Sequence, residues 1–74
     1  MENNVLTEFG HRLQELRLEK GGTQKSMASY LGCTASNYQT MEYGQVNVPA
    51  TTLIALSDYF HVSIDYLLGR SDQR

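Results

Sequence analysis

Seventy-four residues carry one cysteine, two histidines and one proline, and each scarcity excludes something. A single cysteine rules out an intramolecular disulfide. His11 and His61, fifty residues apart with one thiol between them, make a structural zinc site a poor expectation. No stretch approaches the ~18 apolar residues that a membrane helix needs. The opening MENNVLTEFG has neither a basic n-region nor an apolar h-region, so no secretory signal is visible and the cytoplasm is the expected location. Catalytic groupings are also missing. Neither histidine has a Ser, Cys or carboxylate partner at catalytic spacing, Glu8 and Glu15 read as solvated charges of a helix face, and Gly21-Gly22 lacks the rest of a phosphate-cradling loop. No enzyme and no cofactor is expected.

Cations are few and unevenly placed. Net charge is −2. Arg12, Arg17, Lys20 and Lys25 crowd the first third, and no Lys or Arg follows until Arg70. Any attraction to phosphate must therefore come from the first two helices.

The 41% hydrophobic content is that of a globular chain, and this length suits one domain, 1–74, with one core. Phe9, Leu13 and Leu16 recur at four and three residues, the stripe of an amphipathic helix running to about Lys20. Residues Met1 to Asn4 are polar and expected to be loose, Asn4 or Thr7 would cap the helix, and Val5 and Leu6 would extend its buried face. Gly10 inside it costs about 1 kcal/mol against Ala and marks a close helix contact. Gly21-Gly22 ends it.

A second helix spans Gln24 to Leu31 with Thr23 as its cap. Gly32 turns the backbone, Thr34 caps a third helix, and this runs from Ala35 to about Met41 or Tyr43 before Gly44 stops it. Met27 and Leu31, and then Tyr38 and Met41, form stripes facing one core, with Ala28 where the two helices approach most closely. Cys33 is expected as a buried structural thiol. After a loop at Gln45 to Val48, Pro49 suits the first position of a fourth helix, in which Leu53, Leu56 and Phe60 face inward and Ile54 and Tyr59 broaden that face. Ser63 caps a last helix with Asp65 in its first turn, packed through Ile64, Leu67 and Leu68 and stopped by Gly69. The expectation is all-α: five helices, no strands.

Gln24 to Tyr43, QKSMASYLGCTASNYQTMEY, resembles the helix-turn-helix of Cro/repressor-type (XRE-like) DNA-binding proteins of bacteria and phages. Gln24, Ala28, Gly32, Glu42 and Gly44 match the family's habitual positions, SDYFHVSIDYLLGRSD resembles its helices 4 and 5, and the likeness runs from about Phe9 to Gly69. It implies a compact lambda-repressor-like fold with the motif on helices 2 and 3. It also implies a double-stranded operator bound by a homodimer, with half-sites about one DNA turn apart.

Carried over residue by residue, the resemblance puts Ala35, Ser36 and Thr40 against base edges, with Asn37 and Gln39 nearby. Gln24, Lys25, Thr34, Tyr43 and Gln45 would touch phosphates. None of the base-facing positions is an Arg, so an A·T-leaning site is expected. The same residues would also suit an ordinary solvated helix face. Arg17 and Glu42 stand where the family pairs helix 1 with helix 3. An ion pair is preferred over a phosphate contact by Arg17, because an unpaired Glu42 would repel DNA. The family often has an apolar residue where Gly22 stands, and its loss should loosen that corner. It often has basic residues at Gln45 and Val46, and their loss weakens the expected grip on the backbone. The leading expectation is a sequence-specific transcriptional regulator, a repressor binding a palindromic operator as a dimer, either complete or the DNA-binding part of a longer repressor. The alternative is a protein-interaction module of anti-repressor or antitoxin type on the same fold. The sequence leaves repression or activation open.

Overall fold

The computed structural model describes residues 4–74 and, among them, five helices and no strand: α1 (Asn4–Glu19), α2 (Gln24–Leu31), α3 (Ala35–Glu42), α4 (Ala50–Phe60) and α5 (Ile64–Leu67). Their order and bounds follow the apolar periodicity closely. The start of α1 differs from expectation: Asn4 is already helical and Thr7 lies in the helix interior, so neither caps it. The cap position, and the rest of the expected loose stretch, fall outside the described residues. None of the described helices is long and apolar enough to cross a membrane.

One core collects side chains from every helix. Phe9, Leu13 and Leu16 come from α1, Met27 and Ala28 from α2, Tyr38 from α3, Leu56 from α4, and Tyr66 and Leu67 from α5, with Val62 from the preceding turn. Each large apolar side chain buried here stabilises the fold by roughly 1.5–3 kcal/mol. Leu31, Cys33, Met41, Leu53, Tyr59, Phe60 and Leu68 pack against its edge, so Cys33 is half-buried rather than enclosed. Two expected core residues are exposed. Ile54 points about 100° round the helix from Leu53, away from Leu56, and is 53% exposed. Val5 continues the Phe9 stripe past the end of the core and is 54% exposed.

All five helices close on a left-handed residue, Gly21, Gly32, Gly44, His61 or Gly69. Around Gly44 the closure has the two bonds of a Schellman turn: the Gly44 N–H donates to Met41 O at 3.1 Å and the Gln45 N–H to Thr40 O at 3.0 Å. Caps form where expected, with Thr23, Thr34 and Ser63 accepting from Ser26, Asn37 and Tyr66 backbone N–H groups. Pro49 stands one residue earlier than anticipated, at the cap of α4 with φ −59° and ψ 150°.

Gly10 is the point of closest approach between α1 and α3. A Cβ there would lie 2.8 Å from the Glu42 carbonyl carbon and 3.0 Å from Met41 O. The position of α3 is therefore set directly by the backbone of α1.

Candidate nucleic-acid interface

Helix α3 buries one stripe and presents the other. Tyr38 and Glu42, four residues apart, face inward at 0% and 5% exposure. Ala35, Ser36 and Asn37 are fully on the surface at the N-terminal end, and Gln39 and Thr40 are half-exposed beside them. All five base-facing candidates thus lie away from the core. Thr34 stands at the start of this face, exposed, its Oγ accepting the Asn37 N–H at 3.1 Å. Its hydroxyl proton is not used by the cap. Thr40 donates its hydroxyl back to Asn37 O at 2.6 Å.

The helix is held from behind by charge. Arg17 Nε donates to Glu42 Oε2 at 2.6 Å and Nη2 to Oε1 at 3.1 Å, a two-pronged pair whose side chains are 10% and 1% exposed. Gln24 Nε2 adds a bond to Glu42 Oε1 at 3.1 Å, and Arg17 Nη1 reaches Gly22 O at 3.2 Å. One carboxylate therefore ties α1, the start of α2 and the end of α3 together. Burial pushes the Glu42 pKa up, but the bonds from Arg17 and Gln24 outweigh it and hold the carboxyl below its ordinary range. Glu42 bonding in turn raises the Arg17 pKa. The Tyr38 hydroxyl lies beside the pair without hydrogen-bond geometry to either partner, and burial raises its pKa well above the usual value.

The candidate phosphate contacts differ in what their own bonds leave available. Gln24 is half-buried with one amide N–H on Glu42 and, among the described residues, no partner for the second. Lys25 is exposed and, among the described residues, forms no salt bridge. Tyr43 is 58% exposed. Gln45 is exposed, with its backbone N–H spent on the Thr40 carbonyl.

The other cations of the first third serve the fold. Arg12 Nη1 donates to Tyr66 O at 3.0 Å and Ser71 O at 2.7 Å, while Nε and Nη2 pair with Glu8 and Asp72, both at 3.0 Å. Its guanidinium lies 4.4 Å from the ring centre of Tyr66, a member of the core that the apolar pattern omitted. Lys20 donates to Tyr59 O at 3.0 Å and sits over the Tyr59 ring. Glu8 four residues before Arg12 was a legible sign of that engagement; Tyr66 and the tail were not. An open cleft of about 550 Å³ lies between Glu8, His11, Arg12, Gln14, Glu15, Tyr66 and Asp72, and within its lining Arg12 is bonded to Tyr66 O and Asp72. Among the described residues no three His, Cys, Asp or Glu side chains are grouped to hold a metal ion.

A helix-turn-helix family model matches residues 13–67. The chain is 42% identical over 60 residues to an uncharacterized HTH-type transcriptional regulator, YonR, of the SPbeta prophage in Bacillus subtilis (strain 168), covering 81% of this chain and 56% of that protein. It is 38% identical over 64 residues to the HTH-type transcriptional regulator ImmR of the same organism, covering 86% and 50%. The chain thus spans about half the length of the Bacillus regulators it matches. Among solved structures, the restriction-modification controller protein C.AhdI from Aeromonas hydrophila superposes with a TM-score of 0.77 at 32% identity, covering 88% of this chain and 98% of that one. The DNA-binding domain of BldD has the same fold, with a TM-score of 0.74 at 21% identity, over 92% and 99%.

Proposed function

The chain belongs to the helix-turn-helix family of Cro/repressor-type (XRE-like) DNA-binding regulators, and from that membership we propose that it is a repressor binding a palindromic operator as a homodimer. The observation that carries the reading is the α3 surface: Ala35, Ser36 and Asn37 exposed and Thr40 half-exposed on a helix whose opposite stripe is locked by Tyr38 and Glu42. Such a helix enters the major groove with its N-terminal residues on base edges while α2 crosses the backbone. Ser36 can bond several base edges, Asn37 can grip adenine, and Ala35 and the Thr40 methyl suit thymine methyls. Gln24, Lys25, Thr34, Tyr43 and Gln45 fix register on the phosphates. The function is binding without chemistry, in keeping with a family of regulators and not of enzymes.

Dimerisation is supported by the charge count. Each neutralised phosphate contributes a salt slope of about −0.9, and Lys25 is the one cation of the motif. A single copy would bind weakly, and two copies on a palindrome double every contact. Residues 1–74 act here as one domain, the cytoplasm is the fitting location, and repression follows by occluding a promoter. The reading is tested by selecting bound sequences from a random duplex library at about 50 and 150 mM salt. An enriched palindrome bound by two chains supports it. No enrichment at either salt refutes it and turns attention to a protein partner.

A further inference from the structure

Gln39 and Tyr43 form a pair on the exposed edge of α3 that gives Gln39 a different task from base reading. Gln39 Nε2 donates to the Tyr43 hydroxyl oxygen at 3.0 Å, across one helical turn. A phenol has one proton to give and lone pairs to receive. With a lone pair taken by Gln39, the Tyr43 proton is left for another acceptor, and donation into the hydroxyl strengthens it as a donor in turn. The root of Tyr43 is also fixed. Its N–H bonds Gln39 O at 3.1 Å, and Gly44 behind it is closed against the backbone of α1, where an added Cβ would lie 2.8 Å from Leu6 O. An exposed hydroxyl held at its oxygen by Gln39, at the C-terminal end of α3, suits an acceptor that cannot itself donate.

Resting on the operator reading above, we propose that Gln39 is a positioning residue which holds Tyr43 as a hydrogen-bond donor to a DNA phosphate oxygen. Gln39 is then not an adenine reader. The pair supplies a neutral phosphate contact where the motif lacks a cation, and its contribution is independent of base sequence.

The test is a double-mutant cycle on duplex binding with Gln39→Met, Tyr43→Phe and both together, each passed through the same library selection. Positioning predicts that either single change weakens binding about five- to tenfold on every duplex, that the double variant binds no worse than Tyr43→Phe, and that the selected sequence is unchanged. Losses that add in the double variant, or a preference relaxed at one base by Gln39→Met, overturn the proposal and return Gln39 to base reading. A wild-type chain that retains no duplex refutes the operator reading itself, and is distinguished from the first failure by the wild-type control alone.

Discussion

Arg17→Ala isolates a buried carboxylate, and its cost can be bounded from the structure. The substitution leaves Glu42, with a 1% exposed side chain, one bond from Gln24 in place of three. Breaking a buried pair costs roughly 3–5 kcal/mol when the remaining charge is retained. Glu42 has an escape, however, because it can take up a proton. At pH 7 that costs about 3.7 kcal/mol, some 2.7 units above an ordinary glutamate at 1.36 kcal/mol each, and this is a ceiling on the charge penalty. Net destabilisation of about 2–4 kcal/mol follows, a fall in Tm of roughly 10–25 °C for a chain of this size. The same arithmetic makes the deficit pH-dependent. In the wild type Glu42 titrates below its unfolded value, so its contribution is complete above that value and is lost as pH falls through the folded pKa. Without Arg17, burial acts almost alone and raises the folded pKa, so the variant is penalised as pH rises. At pH 5 the protonation ceiling is about 1 kcal/mol, and the gap between the two proteins should narrow accordingly. Thermal and urea melts at pH 5, 6 and 7 measure it. An unchanged Tm at pH 7, or a gap of equal size at all three pH values, would refute the reasoning.

Three further substitutions probe other parts of the account. Gly10→Ala drives a methyl group into the Glu42 carbonyl, a backbone atom that cannot swing aside, and should cost about 1–3 kcal/mol in urea melts despite the better helix propensity of Ala. Gly22→Ala should do the opposite: the residue is outside the positive-φ set, its nearest contact would be Ser26 Oγ at an ordinary 3.5 Å, and a gain of about 0.4–1 kcal/mol is expected in the same assay. Lys25→Ala should leave stability unchanged while lowering affinity for every duplex and flattening the salt slope by about 0.9 per chain in binding isotherms taken across salt concentrations.

The fold was legible because its local signals agree. The apolar spacing of Phe9, Leu13 and Leu16, the caps at Thr23, Thr34 and Ser63, and the stops at Gly32, Gly44 and Gly69 all point to the same helices. The Arg17–Glu42 pair came from the family pattern and is present with both prongs. Contacts across long sequence separations were harder to see. Arg12 appeared as part of a basic region, yet it is bonded to Tyr66, Ser71 and Asp72, more than fifty residues away, and nothing local announces such a bond. Ile54 and Val5 show the limit of hydrophobicity as a guide to burial. Ile54 lies off the inward stripe and Val5 beyond its end, and both remain on the surface. The candidate interface came from the family resemblance; the 3.6-residue repeat adds that Ser36, Asn37 and Thr40 lie away from Tyr38 and Met41, and the structure places them off the buried stripe.

The central claim is that this outward stripe of α3 reads base sequence. Parallel library selections with the wild type, Thr40→Ala and Lys25→Ala test it most directly. The account predicts one enriched palindrome for the wild type, the same palindrome at lower affinity for Lys25→Ala, and a preference relaxed by ~1–3 kcal/mol at one symmetric position for Thr40→Ala. A Thr40→Ala selection that matches the wild type at every position would contradict it.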